Sequence, residues 1–427
     1  MTGRTDLDRD LAAYLGARET SRAPDGLGDA VRAAIATTPQ RPAWRVPERW
    51  LAGRLTQRLV PTRTASVMIA VLGLLLVLAI AFVLAAGSRH RLPPPFGLAK
   101  PGVIAYDVAG DLYVVSSDGS GVNQVTSGPE IDGGATWSPD GTLIAYQSQV
   151  ADLTRELVVI GADGRNRAVL ASQMAEIGNL SWSPDSRSLA FGARIPDTHS
   201  THIYVVDVAH PGARQLGDAG LFGIEPSWSP DGLQIAFKRI DGERSQGEYP
   251  DGTLWMMGAD GSHARQLSAS GGSGDELWNT VWSPDGTRLA FLALGRDGRR
   301  DVYVIGSDGK GQLNLTDSTQ DEYWPSWSPD GTRIAFPRMS LTANNQGTVV
   351  VVDPDGSHSV SLTGPPVNSN TLIWSPDGTR ILGYAKDPDP NRDINVGIAV
   401  FDPSGLVPTT IVPAADFGSA SWQRLAL

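Results

Sequence analysis

Trp137-Ser138-Pro139-Asp140-Gly141 is repeated letter for letter at Trp228, Trp282, Trp327 and Trp374, and with serine in place of the glycine at Trp182. A Ser-Trp pair returns once more at Trp422. Successive tryptophans stand 45, 46, 54, 45, 47 and 48 residues apart. After each pentapeptide comes a short apolar run, such as LIAY from Leu143, IAF from Ile235, LAF from Leu289 or IAF from Ile334. A second run rich in Val, Ile and Tyr follows, as at Tyr204, Tyr303 and Val349. An Asp-Gly turn then leads to a more polar segment such as RQL at Arg265 or LNL at Leu313. β-Branched and aromatic runs bounded by Asp-Gly turns make hairpins, because Asp before Gly accommodates the positive φ of a tight turn. Proline falls at the turns, where its missing N–H costs nothing. Four short strands per unit, repeated at this period, specify a β-propeller.

The phase of the ends sets the blade number. The first unit lacks a tryptophan strand and begins at Val103–Tyr106, Asp111–Val115 and Asn123. Six full units follow, and the chain then supplies one last strand around Ala420–Trp422. Three strands from the start and one from the end make a shared seventh blade, which removes the exposed edges an open array would have. The expectation is an all-β, seven-bladed propeller over 101–427 with about 47 residues per blade.

Val67–Gly87 is a second kind of sequence. No charged residue lies between Arg63 and Arg89, and about 20 apolar residues suffice for a helix to cross a bilayer. A transmembrane helix is expected over 64–88, with a Pro-rich linker over 89–100. Residues 1–63 hold 11 arginines against 7 acids, a charge of +4, so the remainder of a chain of net charge −11 carries −15. Arg45, Arg49, Arg54, Arg58 and Arg63 precede the span, which by the positive-inside rule puts residues 1–63 in the cytoplasm and the propeller outside. Short helices are expected at 6–18, 25–37 and 48–59, the last with its arginines toward headgroups. A solvated spacer is the alternative reading of residues 1–63. The chain has no cysteine, so it has no disulfide framework and no thiolate metal site. With −15 on the propeller side, nucleic acid is not an expected partner.

The repeats resemble the TolB-like β-propeller repeat, which also occurs in the propellers of prolyl-oligopeptidase-type enzymes. The resemblance covers about Pro101 to Leu427. TolB itself has six blades and a separate α/β domain, whereas this chain reads as seven blades and an anchor. An Arg-rich cytoplasmic segment, one membrane helix and an outer propeller are similar to membrane proteins paired with extracytoplasmic-function sigma factors. That likeness implies a cytoplasmic regulator as partner of residues 1–63, although the zinc-binding His and Cys pattern of many anti-sigma domains is absent. The oligopeptidases carry their catalytic Ser, Asp and His on a separate domain, for which no room is expected here. GGSGD at Gly271 has the wrong spacing for a nucleophile elbow. A noncatalytic binding or sensing propeller is expected, with an anchored envelope scaffold as the alternative and an enzyme acting on envelope glycans or peptides more distant.

The candidate site is a ring of acids three to six residues before the tryptophans: Asp132, Glu176, Glu225, Glu276, Glu322 and Asp416. Asp275 and Asp321 accompany them, and the unit of Trp374 offers Asn368 and Asn370 instead. Loops entering the innermost strands cluster at one mouth of the channel, where converging carboxylates would attract a cation or a basic peptide. No cofactor is assigned; if the ring holds a metal, oxygen ligands favour Ca²⁺. The competing reading has these acids capping loops or bonding neighbouring backbone N–H groups. The envelope ligand is expected at this mouth, whether protein, peptide or glycan. DPDG at Asp353 and SSDG at Ser116 read as turns, His199 and His202 lack a third metal ligand, and the phased tryptophans read as packing between blades.

Overall fold

A computed structural model of the chain describes residues 96–426, apart from 152–153, 197, 241–251, 269–276, 341–345, 369, 371, 390–394, 404–407 and 413–416. The proposed segments 1–63 and 64–88, and the first part of the linker, therefore lie outside the described residues. Among the described residues no helix is long and apolar enough to cross a membrane.

Seven four-stranded antiparallel sheets follow one another along the chain. Blade 1 runs from the axis outward through Phe417–Leu425, Lys100–Val108, Asp111–Val115 and Asn123–Gln124. Blades 2 to 7 are continuous, and their innermost strands are Ile131–Trp137, Glu176–Trp182, Gly223–Trp228, Leu277–Trp282, Ser326–Trp327 and Ile373–Trp374. The shared blade is closed as the phase of the ends implies. Ile104 pairs with Trp422, Ala105 with Ser421 and Tyr106 with Ala420.

The core is divided into seven clusters, each lying between two adjacent blades. Second strands present Tyr146, Phe191, Phe237, Phe291 and Phe336 fully buried. Burying one such side chain contributes about 1.5–3 kcal/mol. Cross-strand rings stack within blades, Phe191 on Tyr204 at 5.8 Å and Phe291 on Tyr303 at 5.7 Å.

The pentapeptide acts as a local lock. Ser138 Oγ donates to Asp140 Oδ1 at 2.6 Å and accepts from the Leu143 N–H at 3.0 Å, while Asp140 Oδ1 accepts from the Thr142 N–H at 3.0 Å. The same Ser-to-Asp bond recurs at Ser183, Ser229, Ser283, Ser328 and Ser375. The final position needs positive φ, 71° at Gly141 and 72° at Gly378, and Ser186 adopts 61° without a glycine. Each lock touches the one before it: Gly232 faces Pro184, Gly286 faces Pro230 and Gly331 faces Pro284.

The tryptophans link neighbouring blades. Trp182 Nε1 donates to the Thr136 carbonyl, Trp282 Nε1 to Ser227 and Trp374 Nε1 to Ser326, each across one blade boundary. Arg288 lies over the Trp327 ring at 5.2 Å and Arg333 over Trp374 at 4.9 Å, again reaching into the next blade. Trp137, Trp228 and Trp327 have no partner for Nε1 among the described residues, so the phase common to all six follows from burying each ring in the core between two blades.

Candidate functional site

The two faces of the ring differ in how they connect strands. On one face, first and second strands are joined by 138–142, 183–187, 229–233, 283–287, 328–333 and 375–380, all five or six residues long. On the other, second and third strands are joined by segments from two residues, 152–153, to eleven, 241–251. The first may be named the turn face and the second the loop face. The chain enters the ring at the turn face. Arg424 Nη2 donates to the Gly97 carbonyl, and the Ala99 N–H donates to Pro376 O at 2.8 Å. Phe96 and Gly97 line a cavity of about 390 Å³ there, together with the six tryptophans of blades 2 to 7.

A second axial cavity, about 440 Å³, opens toward the loop face. Its walls include Gln147, Asn179, Trp324, Asn370, Ser419 and Ser421. It abuts the first cavity at Thr136, Leu180 and Ile373, which line both.

An irregularity repeated in the innermost strands places these residues. Pairing with the second strand slips by one residue between Gly133 and Thr136, between Ile177 and Leu180, between Ile224 and Ser227, and between Trp278 and Val281. Such a β-bulge adds one unpaired residue and re-aims its side chain. The extra residue sits near the third position before each tryptophan: Gly134, Asn179, Glu225, Asn279 and, in the closing strand, Ser419, with Trp324 at the same position before Trp327. Left-handed φ marks four of them, Gly134 at 73°, Glu225 at 54°, Asn279 at 46° and Trp324 at 34°. Gly134, Asn179, Trp324 and Ser419 line the loop-face cavity.

The acids proposed as a channel ring are placed differently. Glu276 and Asp416, with Asp275, lie outside the described residues. None of Asp132, Glu176, Glu225 and Glu322 lines either axial cavity. Glu176 faces Arg194 on the adjacent strand at 3.7 Å. Asp321 accepts from the Arg300 N–H at 3.0 Å and from Arg299 Nη1 at 3.2 Å. Glu225 Oε2 accepts the N–H of Asn279, the equivalent residue of the next blade, at 2.6 Å. Burial raises its carboxyl above the ordinary value, and the Asn279 N–H and Lys238 only partly offset this. Asp132 is buried at the boundary of blades 1 and 2, near Tyr146. Asn368 accepts the Asn370 N–H at 2.9 Å and so fixes the backbone of that cavity residue.

Glu322 has the most unusual surroundings. It is fully buried, with Arg338 Nε 2.7 Å from Oε1. Thr316 Oγ1 lies 3.1 Å from Glu322 Oε2 and 3.1 Å from Asp301 Oδ1. Burial pushes the Glu322 carboxyl up to about 7; Arg338 lowers it and the Asp301 charge raises it further. Asp301 has donors of its own, the Asn314 side-chain amide at 2.7 Å and the Ser318 N–H at 3.1 Å.

Among the described residues no three His, Asp or Glu side chains are placed to hold a metal ion. His202 Nδ1 lies 3.1 Å from the Leu221 carbonyl, and its ring tilts against Phe222 at 5.2 Å. The SSDG and DPDG segments are turns, with Asp118 accepting from the Ser120 N–H and Asp355 from the Ser357 N–H at 2.9 Å each.

The model of the TolB β-propeller domain matches residues 111–377 of this chain. The chain belongs to that family. Among solved structures it is similar to a puromycin hydrolase mutant complexed with PGG, at 18% identity and a TM-score of 0.56 over 77% of this chain and 55% of that one. It is similar to oligogalacturonate lyase from Vibrio parahaemolyticus, at 14% identity and a TM-score of 0.54 over 74% and 87%. TolB from Acinetobacter baumannii is 21% identical with a TM-score of 0.47, over 63% of this chain and 65% of that protein's length. At such identities these likenesses concern the fold alone.

Proposed function

We propose that this TolB-family propeller is a noncatalytic ligand-binding module, anchored to a membrane by residues 64–88 and binding through its loop face. One observation carries the reading: variation in connection length falls on the loop face, while the turn face keeps repeated locks and receives the entering chain. Loops on a rigid scaffold are where binding surfaces are built. The neutral cavity lining among the described residues, and the pairing of Glu176, Glu225 and Glu322 with bases or backbone, favour binding over acid–base catalysis. In this reading residues 1–63 face the cytoplasm and contact a regulator, such as a sigma factor, so that occupancy of the propeller is signalled inward. An anchored envelope scaffold is the alternative, in which residues 1–63 only set topology.

The test places a photo-cross-linking amino acid in the full-length protein in cells, at Asn179 on the loop face or at Leu233, which is 68% exposed on the turn face. The expected result is discrete adducts from Asn179 and none from Leu233. Adducts from Leu233 alone would reject the loop-face reading. Replacing residues 1–63 with an unrelated basic sequence separates the two versions: loss of the cellular response supports regulation, and no change supports the scaffold.

A further inference from the structure

We infer that the loop-face cavity is a binding site for an uncharged oligosaccharide, with a sugar ring against Trp324 and its hydroxyls bonded to Asn179, Asn370 and Gln147. The inference deepens the binding-face reading and rests on it. A cavity of about 440 Å³ lies within the roughly 300–1,000 Å³ of small-ligand sites. Among the described residues, none of the side chains lining it carries a charge. Three are amides, each able to donate and accept at once, which matches a sugar hydroxyl. Trp324 adds a half-buried indole, apolar on its face and polar at its N–H.

The lining is also held in place. Gln147 Nε2 donates to Gly178 O at 3.2 Å, and its Oε1 accepts from Arg155 Nη1 at 3.1 Å. Asn370 is fixed through Asn368, which donates in turn to Asn395 Oδ1 at 3.2 Å. Asn179 occupies the bulge position of its strand, and Trp324, three residues before Trp327 and just outside the strand Ser326–Trp327, adopts a left-handed φ of 34° that bulky residues avoid. Among the described residues, the side chains of Asn179, Asn370 and Trp324 make no hydrogen bond within the protein, so their polar groups remain available to a ligand. Charge is kept behind the wall. Asp107 and Arg155 line an adjoining recess, where Asp107 accepts from Ser419 Oγ and the Gly134 N–H while Arg155 holds Gln147.

A peptide is the weaker match. Peptide sites draw affinity from apolar pockets for side-chain anchors or from charges, and this mouth offers a row of neutral amides instead. An anionic glycan would ask for arginine or lysine, and among the described residues none lines the cavity.

The experiment uses the full-length protein in a zwitterionic detergent, since sugar-headed detergents would compete. Maltotetraose, cellotetraose and chitotetraose are titrated, with tetragalacturonate as the charged control, and binding is read by saturation-transfer NMR. At least one neutral tetrasaccharide should bind saturably and without dependence on salt. Trp324→Ala should weaken it by about tenfold, as expected for losing an aromatic anchor. Asn179→Ala, at an exposed position that leaves the core intact, should weaken it as well. No saturable neutral sugar, binding unchanged in both variants, or salt-sensitive preference for tetragalacturonate would each overturn the inference. Protein adducts at Asn179 without sugar binding would reject the ligand class alone, whereas absence of both would reject the binding-face reading beneath it.

Discussion

Glu322 shows what one residue can add to a repeated scaffold. Its folded carboxyl titrates at about 7 because burial outweighs the Arg338 contact. A carboxyl raised above its unfolded value contributes stability at pH below that unfolded value, and the contribution disappears as pH rises through 7. Glutamine keeps the shape and stays neutral. The melting temperature of Glu322→Gln minus that of the parent should therefore climb from pH 5 to pH 8, by the equivalent of about 2 kcal/mol. A difference independent of pH would mean that Glu322 is charged throughout. Asp330 shows the opposite sign. Burial opposes its ionisation, yet the hydrogen bonds from Ser328 and Thr332 hold the carboxyl below its ordinary value. Its contribution is present at neutral pH and is lost as pH falls through the folded pKa. Ser328 is fully buried, bonding Asp330 at 2.6 Å and the Arg333 N–H at 2.9 Å. Ser328→Ala orphans that N–H and should cost about 1–3 kcal/mol in chemical denaturation; a change within error would make the lock ornamental.

At the scale of the strand, sequence and structure part company in an instructive place. The pentapeptide locks are legible because their chemistry is local: Ser, Asp and Gly bond within five residues, so the letters and the geometry coincide. The terminal strand is legible because its phase is set by the tryptophan at 422. The bulge is not written this way. Its extra residue is Gly134, Asn179, Glu225 or Asn279, and only pairing with the second strand reveals it. Glycine or asparagine three residues before three of the tryptophans was the available signal, since both tolerate left-handed φ. Counting acids upstream of tryptophan without that slip gave Glu176 and Glu322 to the channel, where in the structure they meet Arg194 and Arg338. The closing strand supports a separate prediction. Ser419 and Ser421 accept the Ala135 and Trp137 N–H groups of blade 2, and Gln423 Nε2 donates to Gly141 O at 2.7 Å. Ending the chain after Gly418 strips these bonds and exposes the edge of Lys100–Val108. The truncated protein should melt earlier and aggregate; unchanged melting would separate closure from stability.

The whole ring is a cycle of seven interfaces, each core shared by two neighbours and none central to all. A cycle of this kind transmits a geometric error around itself, because every blade fixes the angle of the next. The two faces should then respond unequally to the same lesion. A Gly-Ser insertion after Asp297 enters the loop face, where Gly298 has open space around it. Lengthening such a connection costs only a few tenths of a kcal/mol in closure entropy, on the order of that expected for flexible loops. The same insertion after Asp285 enters the turn face. There it separates the Ser283–Asp285 bond and the Asp285–Thr287 bond from the strand they position, and it lifts Gly286 from Pro230 of the preceding blade. The expected outcome is a melting temperature close to the parent for the first variant and a large drop for the second. Equal losses would show that ring geometry is set by the cores alone. Equal tolerance would remove the physical basis for assigning binding to one face, since both would then be free to vary.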